Sequence, residues 1–175
     1  MHEKHARLIA AMIGYETGNP HRVQHLLKVH GFAAAIGLLE GLDEETQFIL
    51  ETAAIVHDIG IRPAEEKYHS HAGPLQEREG ALAAERMLRS LGEYTPSQIR
   101  RVAYLVGHHH TYTDIDGMDY QILVEADFLV NLYEHQDTAD AIREADHAIF
   151  RTATGKRFLH AMFPAVPGED TGRET

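Results

Sequence analysis

Leu50-Glu51-Thr52-Ala53-Ala54-Ile55-Val56-His57-Asp58-Ile59-Gly60 is the stretch on which the reading of this chain turns. Leu50, Ala53, Ala54 and His57 share one face of an α-helix, so the imidazole prolongs an apolar stripe meant for a core. Gly60 supplies a stop and leaves His57 and Asp58 at a cavity rim. A lone His-Asp at a helix end is more often a solvated terminus than a site. Its meaning rests on what other segments bring to the same place.

Outward from this stretch, the punctuation gives helices joined by short loops. Glu3 to about Glu16 is amphipathic and stops near Gly18. Asn19 caps a helix with Pro20 at its first position, running to about Glu40. Asp43 caps the helix that carries the opening stretch to about Asp58. Pro63 to Pro74 reads as an active-site loop, followed by a helix from Leu75 to Leu91. Thr95-Pro96 repeats the cap-and-proline signal and starts a helix to about His109. Thr111 to Gly117 is polar loop, and Tyr120 to Tyr133 is a nearly continuous apolar helix. Asp137 to Phe150 and Lys156 to Met162 close the set. With no strand alternation, repeat or linker, the class is all-α: one helical bundle of about seven or eight helices over residues 1–163, with a flexible tail over 164–175.

Composition bounds the chemistry. The 175 residues, 43% of them hydrophobic, suffice for one buried core. There is no cysteine, so thiolate sites are excluded and any metal must rest on histidine and carboxylate. That also suits a reducing cytoplasm, the expected location. The N-terminal residues lack a signal peptide's apolar run, and no stretch approaches the roughly 20 apolar residues of a membrane span. Sixteen basic against 27 acidic residues, a net charge of −11, argue against a broad nucleic-acid surface. A small phosphate ester stays compatible, since divalent cations invert the potential of a cleft. Fourteen histidines make position more telling than number.

Three positions add to His57-Asp58. Asp127 lies in the apolar run Leu123-Val124-Glu125-Ala126-Asp127-Phe128-Leu129-Val130, where a carboxylate needs a partner or a metal; Glu125 could face outward. His25 shares a helix face with His21 and Arg22, and taken singly reads as a satisfied core histidine. His108-His109-His110 end the helix from Pro96. There they complement the helix dipole, yet they give a second apolar helix that ends in imidazoles. Helix ends converging on one cleft are what a His/carboxylate metal site requires.

The ordered set Arg22-Val23-Gln24-His25, Ile55-Val56-His57-Asp58-Ile59-Gly60 and Glu125-Ala126-Asp127 resembles the HD superfamily of metal-dependent phosphohydrolases, and within it a subgroup of stand-alone microbial proteins. The resemblance spans roughly His21 to Tyr133. It implies an all-helical core with a metal held by His25, His57, Asp58 and Asp127. Di-metal relatives add further histidines. His108-His109 match the later pair, but the central histidine before Gly80-Ala81 is replaced by Gln76, Glu77 and Glu79, of which Glu79 is the substitute ligand considered.

For a hydrolase, one or two divalent ions (Fe, Mn, Co, Ni or Zn) would activate a water, with Asp58 bridging metals or orienting that water. Arg22, Arg62 and Lys67 are the candidates to meet a substrate phosphate. A nucleotide or related small phosphate is the substrate expected, by analogy. The alternatives are a di-iron oxygenase, which the missing central histidine disfavours, and a non-catalytic metal-binding regulatory module.

Overall fold

The computed structural model of the protein describes residues 2–70 and 72–164. The expected tail lies, from residue 165 onward, outside them. Nine α-helices and no strand make up the described residues: α1 Glu3–Tyr15, α2 Pro20–Leu39, α3 Glu44–Val56, α4 Ile61–Tyr68, α5 Gly73–Leu91, α6 Pro96–Val106, α7 Met118–Glu134, α8 Ala139–Ala148 and α9 Ala153–Met162. None of them is long and apolar enough to cross a membrane.

The starts follow from local chemistry. Asn19 Oδ1 accepts from the Arg22 amide at 3.1 Å, ahead of Pro20. Asp43 Oδ1 does the same for Thr46 at 3.0 Å. Thr95 and Gln98 form a reciprocal capping box. Each side chain satisfies an amide that has no partner within its own helix.

Two expectations on element boundaries are corrected. The loop expected over Pro63 to Pro74 contains α4, because Pro63 falls in a first turn, where its missing N–H goes unneeded. The helix expected to reach His109 stops at Val106, and residues 107–110 form a turn.

α2, α3 and α7 pack against one another as the centre, with α6 against α3 and α5 against α6. Leu26, Val29, Ala33 and Ile36 of α2, Leu50, Ala53 and Ala54 of α3, and Leu123, Ala126 and Leu129 of α7 are fully buried. The alanines let the axes approach closely. Helix α7 is buried on nearly every side, the condition of a central helix.

Gly60 acts differently from the stop read in the sequence. Its φ of −76° is open to any residue. A Cβ there would strike the Gln76 carbonyl and the Gly80 amide, so glycine lets the turn after α3 press onto α5. That contact fixes where His57 and Asp58 sit.

Glu125 faces inward and is 0% exposed, against the outward direction allowed from the sequence. Its carboxylate accepts from Gln121 Nε2 at 2.8 Å, the Thr152 amide at 2.9 Å and the Arg151 amide at 2.6 Å. The Thr152 hydroxyl donates to it as well, at 2.5 Å. One buried carboxyl group thus ties α7 to the start of α9. Glu125→Ala leaves these donors dry and unmatched, and should cost roughly 3 to 5 kcal/mol. Denaturant unfolding with an unchanged m-value checks this. A loss under about 1 kcal/mol would mean the network is dispensable.

Candidate metal centre

His25 comes from the first half of α2, His57 and Asp58 from the turn after α3, His109 and His110 from the turn after α6, and Asp127 from the middle of α7. These segments meet where the end of α3 lies against the first half of α2 and the middle of α7. His25 Nε2 lies 3.3 Å from His57 Nε2, 3.2 Å from Asp127 Oδ1 and 3.5 Å from Asp58 Oδ2. His57 Nε2 lies 3.4 Å from Asp127 Oδ1 and 3.8 Å from Asp58 Oδ2. Ligand atoms about 2.1 Å from a tetrahedral ion stand about 3.4 Å apart, and His25, His57 and Asp58 form a group with ligand atoms all within 4.8 Å of one another, Asp127 lying against its two imidazoles.

The tautomers point the same way. His57 Nδ1 lies 3.0 Å from the Ala54 carbonyl and His109 Nδ1 lies 2.9 Å from that of Val106. A carbonyl can only accept, so both Nδ1 atoms carry the proton, and in the neutral rings both Nε2 atoms present lone pairs. His25 Nδ1 faces Glu134 Oε2 at 2.9 Å in the same arrangement. Carboxylates and carbonyls behind metal-ligating imidazoles orient the ring in this way. Three lone pairs and two carboxylates therefore converge with no donor among themselves, and only the Asn131 amide, donating to Asp127 Oδ1 at 2.9 Å, relieves them from among the described residues. A cation must resolve that, whether proton or metal.

Without a metal, protons do so. Burial disfavours charge on His25, but the hydrogen bond and charge of Asp127, then Asp58 and Glu134, prevail and raise its pKa to about 9. His57 is also raised, its burial penalty outweighed by Asp58 and Asp127. Burial likewise opposes charge on Asp58, yet His57 and His109 hold its carboxyl below the usual range. Asp127 is held low by His25 and His57 against the same opposition.

Asp58 faces two ways. Its Oδ1 lies 3.3 Å from His109 Nε2, and Asp58, His109 and His110 form a second group with metal-ligand spacing. His110 Nδ1 is buried with no hydrogen-bond partner, and burial followed by the nearness of His109 lowers the ring's pKa to about 4. A neutral imidazole with an idle nitrogen is a ligand in waiting. Asp58 keeps 14% of its side chain exposed, which leaves this edge of the centre open to solvent.

The residues expected at a second metal are only partly brought together. His109 is there. His108 turns away, its Nδ1 2.7 Å from the Tyr104 carbonyl and its ring stacked on Tyr104. His110 takes the place expected of it. Glu79 is also elsewhere, paired with Lys67 and accepting from the Tyr68 hydroxyl at 2.9 Å. Glu77 serves the turn instead: its Oε1 accepts from the His110 amide at 3.0 Å and the Thr111 hydroxyl at 3.2 Å. The choice of His109-His110 over His108-His109 follows from the early end of α6, which a sequence pattern running on to His109 does not reveal.

Of the cations expected near phosphate, Lys67 is engaged by Glu79, and Arg62 by Glu66 and the Tyr15 carbonyl. Arg22 lies 3.5 Å from Glu65 and has its Nη1 buried without a hydrogen-bond partner. It lines a cavity of about 270 Å³ with Glu16, Asn19 and Arg62. Tyr112, not singled out in the sequence, has its hydroxyl pKa raised to about 12 by burial and by Asp127, Glu77 and Asp58, which places it within the field of the centre.

The family model described as HD domain matches residues 22–146, which takes in every one of these candidate ligands and leaves α1 and α9 outside. Searches of the curated proteins and of the solved structures found no match.

The metal-free centre makes stability depend on pH. His25 is raised from 6.5 to about 9, so its contribution is full below about pH 6.5 and is lost as pH climbs through about 9. Denaturant unfolding of chelator-treated protein should show stability falling over that window, and His25→Gln should flatten the fall. Zinc affinity should strengthen over the same window, because the ion competes with the His25 proton. Affinity independent of pH would contradict the assignment.

Proposed function

The chain belongs to the HD domain family, and on that premise we propose that it is a metal-dependent phosphohydrolase acting on a small phosphate ester, with a nucleotide as the leading class. HD domains are for the most part those of metal-dependent hydrolases, and the clustered His and Asp residues fit metal binding. The observation that carries the reading is Asp58, one carboxylate shared between two ligand groups at a solvent-reaching edge.

His25, His57, Asp58 and Asp127 would hold one ion, and Asp58, His109 and His110 a second. A divalent ion so placed supplies Lewis acidity and brings the pKa of water down towards about 7. The protein's part is positioning. Glu134 and the carbonyls of Ala54 and Val106 fix the imidazoles, so the ligand atoms need no rearrangement. Asp58, with Oδ2 towards the first group and Oδ1 towards the second, would bridge the two ions or orient a water between them. Of the three cations, Arg22 would be the one to meet a phosphate oxygen, because its pairing with Glu65, at 3.5 Å, is looser than those of Arg62 with Glu66 and Lys67 with Glu79.

Phosphate release from a panel of nucleotides and phosphomonoesters, with manganese, cobalt, nickel, iron, zinc or magnesium added, tests the reading. Release should require metal and fall at least about a hundredfold in Asp58→Ala, the scale of losing one electrostatic partner of a transition state. Arg22→Ala should cost more than Lys67→Ala. Silence across the panel, with metal bound at full stoichiometry, would overturn hydrolysis. Dioxygen uptake by the iron-loaded protein would then favour the oxygenase.

A further inference from the structure

A second group of potential ligands lies away from this centre, where α1, α2 and α3 meet. His5 of α1, His30 of α2 and Glu51 of α3 each offer one ligand atom, all within 4.8 Å of one another. His5 is 1% exposed and His30 is buried with it. Glu51 Oε2 lies 3.2 Å from His5 Nδ1 and 3.3 Å from His30 Nε2. These are again close to the 3.4 Å or so between donors on a tetrahedral ion.

Proton accounting singles out His5. The Thr52 hydroxyl donates to the Phe48 carbonyl at 2.7 Å, so its oxygen can only accept from His5 Nε2, 3.1 Å away. The Phe48 carbonyl, 3.3 Å from the same nitrogen, is likewise an acceptor. Nε2 therefore carries the proton, and His5 Nδ1 of the neutral ring turns its lone pair on Glu51. That Nδ1 is buried and has no hydrogen-bond partner. Glu51 uses its other oxygen to accept from Gln47 Nε2 at 2.8 Å, leaving Oε2 to the two rings.

We infer that His5, His30 and Glu51 form a zinc site separate from the HD centre, with Nδ1 of His5, Nε2 of His30 and Oε2 of Glu51 as ligands and a water in the fourth position. Two imidazoles and a carboxylate are a zinc donor set, and three protein ligands leave one place open. A cavity of about 690 Å³ lined by His5, Gln47, Phe48 and Glu51 gives that water its access. The site joins α1, which lies outside the family match, to α2 and α3 within it. Its role is to pin the added helix to the family core.

The test is independent of hydrolysis. Zinc bound per chain, measured by equilibrium dialysis of the whole protein, should fall by one in His5→Gln, His30→Gln and Glu51→Gln alike, with circular dichroism confirming the helix content of each. Zinc at about a hundred times its dissociation constant should raise Tm by about 5 to 10 °C through this site, a gain His5→Gln removes. Nitrogen-15 NMR of the wild-type histidine rings covers the case of variants that do not fold. Zinc should shift His5 Nδ1 and His30 Nε2 to metal-bound values while His5 Nε2 stays protonated. Unchanged stoichiometry in folded variants, or unshifted rings at zinc saturation, would overturn the site. The group would then be an ion pair whose loss in His5→Gln lowers Tm equally with and without zinc.

Discussion

Two carboxylates, Asp127 in the interior and Asp58 at its solvent-reaching edge, govern this structure. Asp58 and Asp127 sit where burial alone would drive each to its neutral form, yet both are held charged by imidazoles. A buried charge without a partner costs several kcal/mol, so the helices carrying partners cannot shift independently. α2 must bring His25, the turn after α3 must bring His57, and the turn after α6 must bring His109. The apolar packing of α2, α3 and α7 supplies the stability, and the polar centre dictates the register in which these helices pack.

What was legible in the sequence was what local chemistry decides. Asn19-Pro20, Asp43 and Thr95-Pro96 each mark a helix start that the structure keeps, because a cap acts within three residues of itself. Asp127 stood out because a carboxylate inside an apolar run needs a partner wherever the run is placed. The errors fell where the outcome depends on distant residues. Pro63 signals a break, and only its place in the first turn of α4 makes it harmless. Glu125 could face either way on its helix until Arg151 and Thr152 arrive from the chain beyond α8.

The triple histidine shows the same limit at the site itself. His108, His109 and His110 are chemically identical in sequence, and their fates differ through neighbours far along the chain. Tyr120 places its hydroxyl 2.5 Å from the His108 and Thr111 carbonyls, and Glu77 accepts from the His110 amide. Together they hold the turn after α6 so that His109 and His110 face Asp58. Tyr104, on α6 itself, takes His108 out of the cluster. The departure at Gln76, Glu77 and Glu79, which looks like the loss of a ligand, puts a residue that shapes this turn at Glu77.

On the proposed reading, charge decides how an acidic protein would meet an anionic substrate. Asp58, Asp127 and Glu134 place three negative charges around the first group of ligands, and Lys28 pairs with Glu134 rather than with the cleft. With Arg62 and Lys67 matched by Glu66 and Glu79, little free positive charge remains near the entrance. On the proposed reading a phosphate ester would meet a weaker attraction while protons alone compensate the carboxylates, and a stronger one once divalent charge is held between them. On that reading the cation would bind first and the phosphate second. The ligand geometry is fixed from behind by Ala54, Val106 and Glu134, so on the proposed reading discrimination among phosphate esters would fall to residues outside the ligand set.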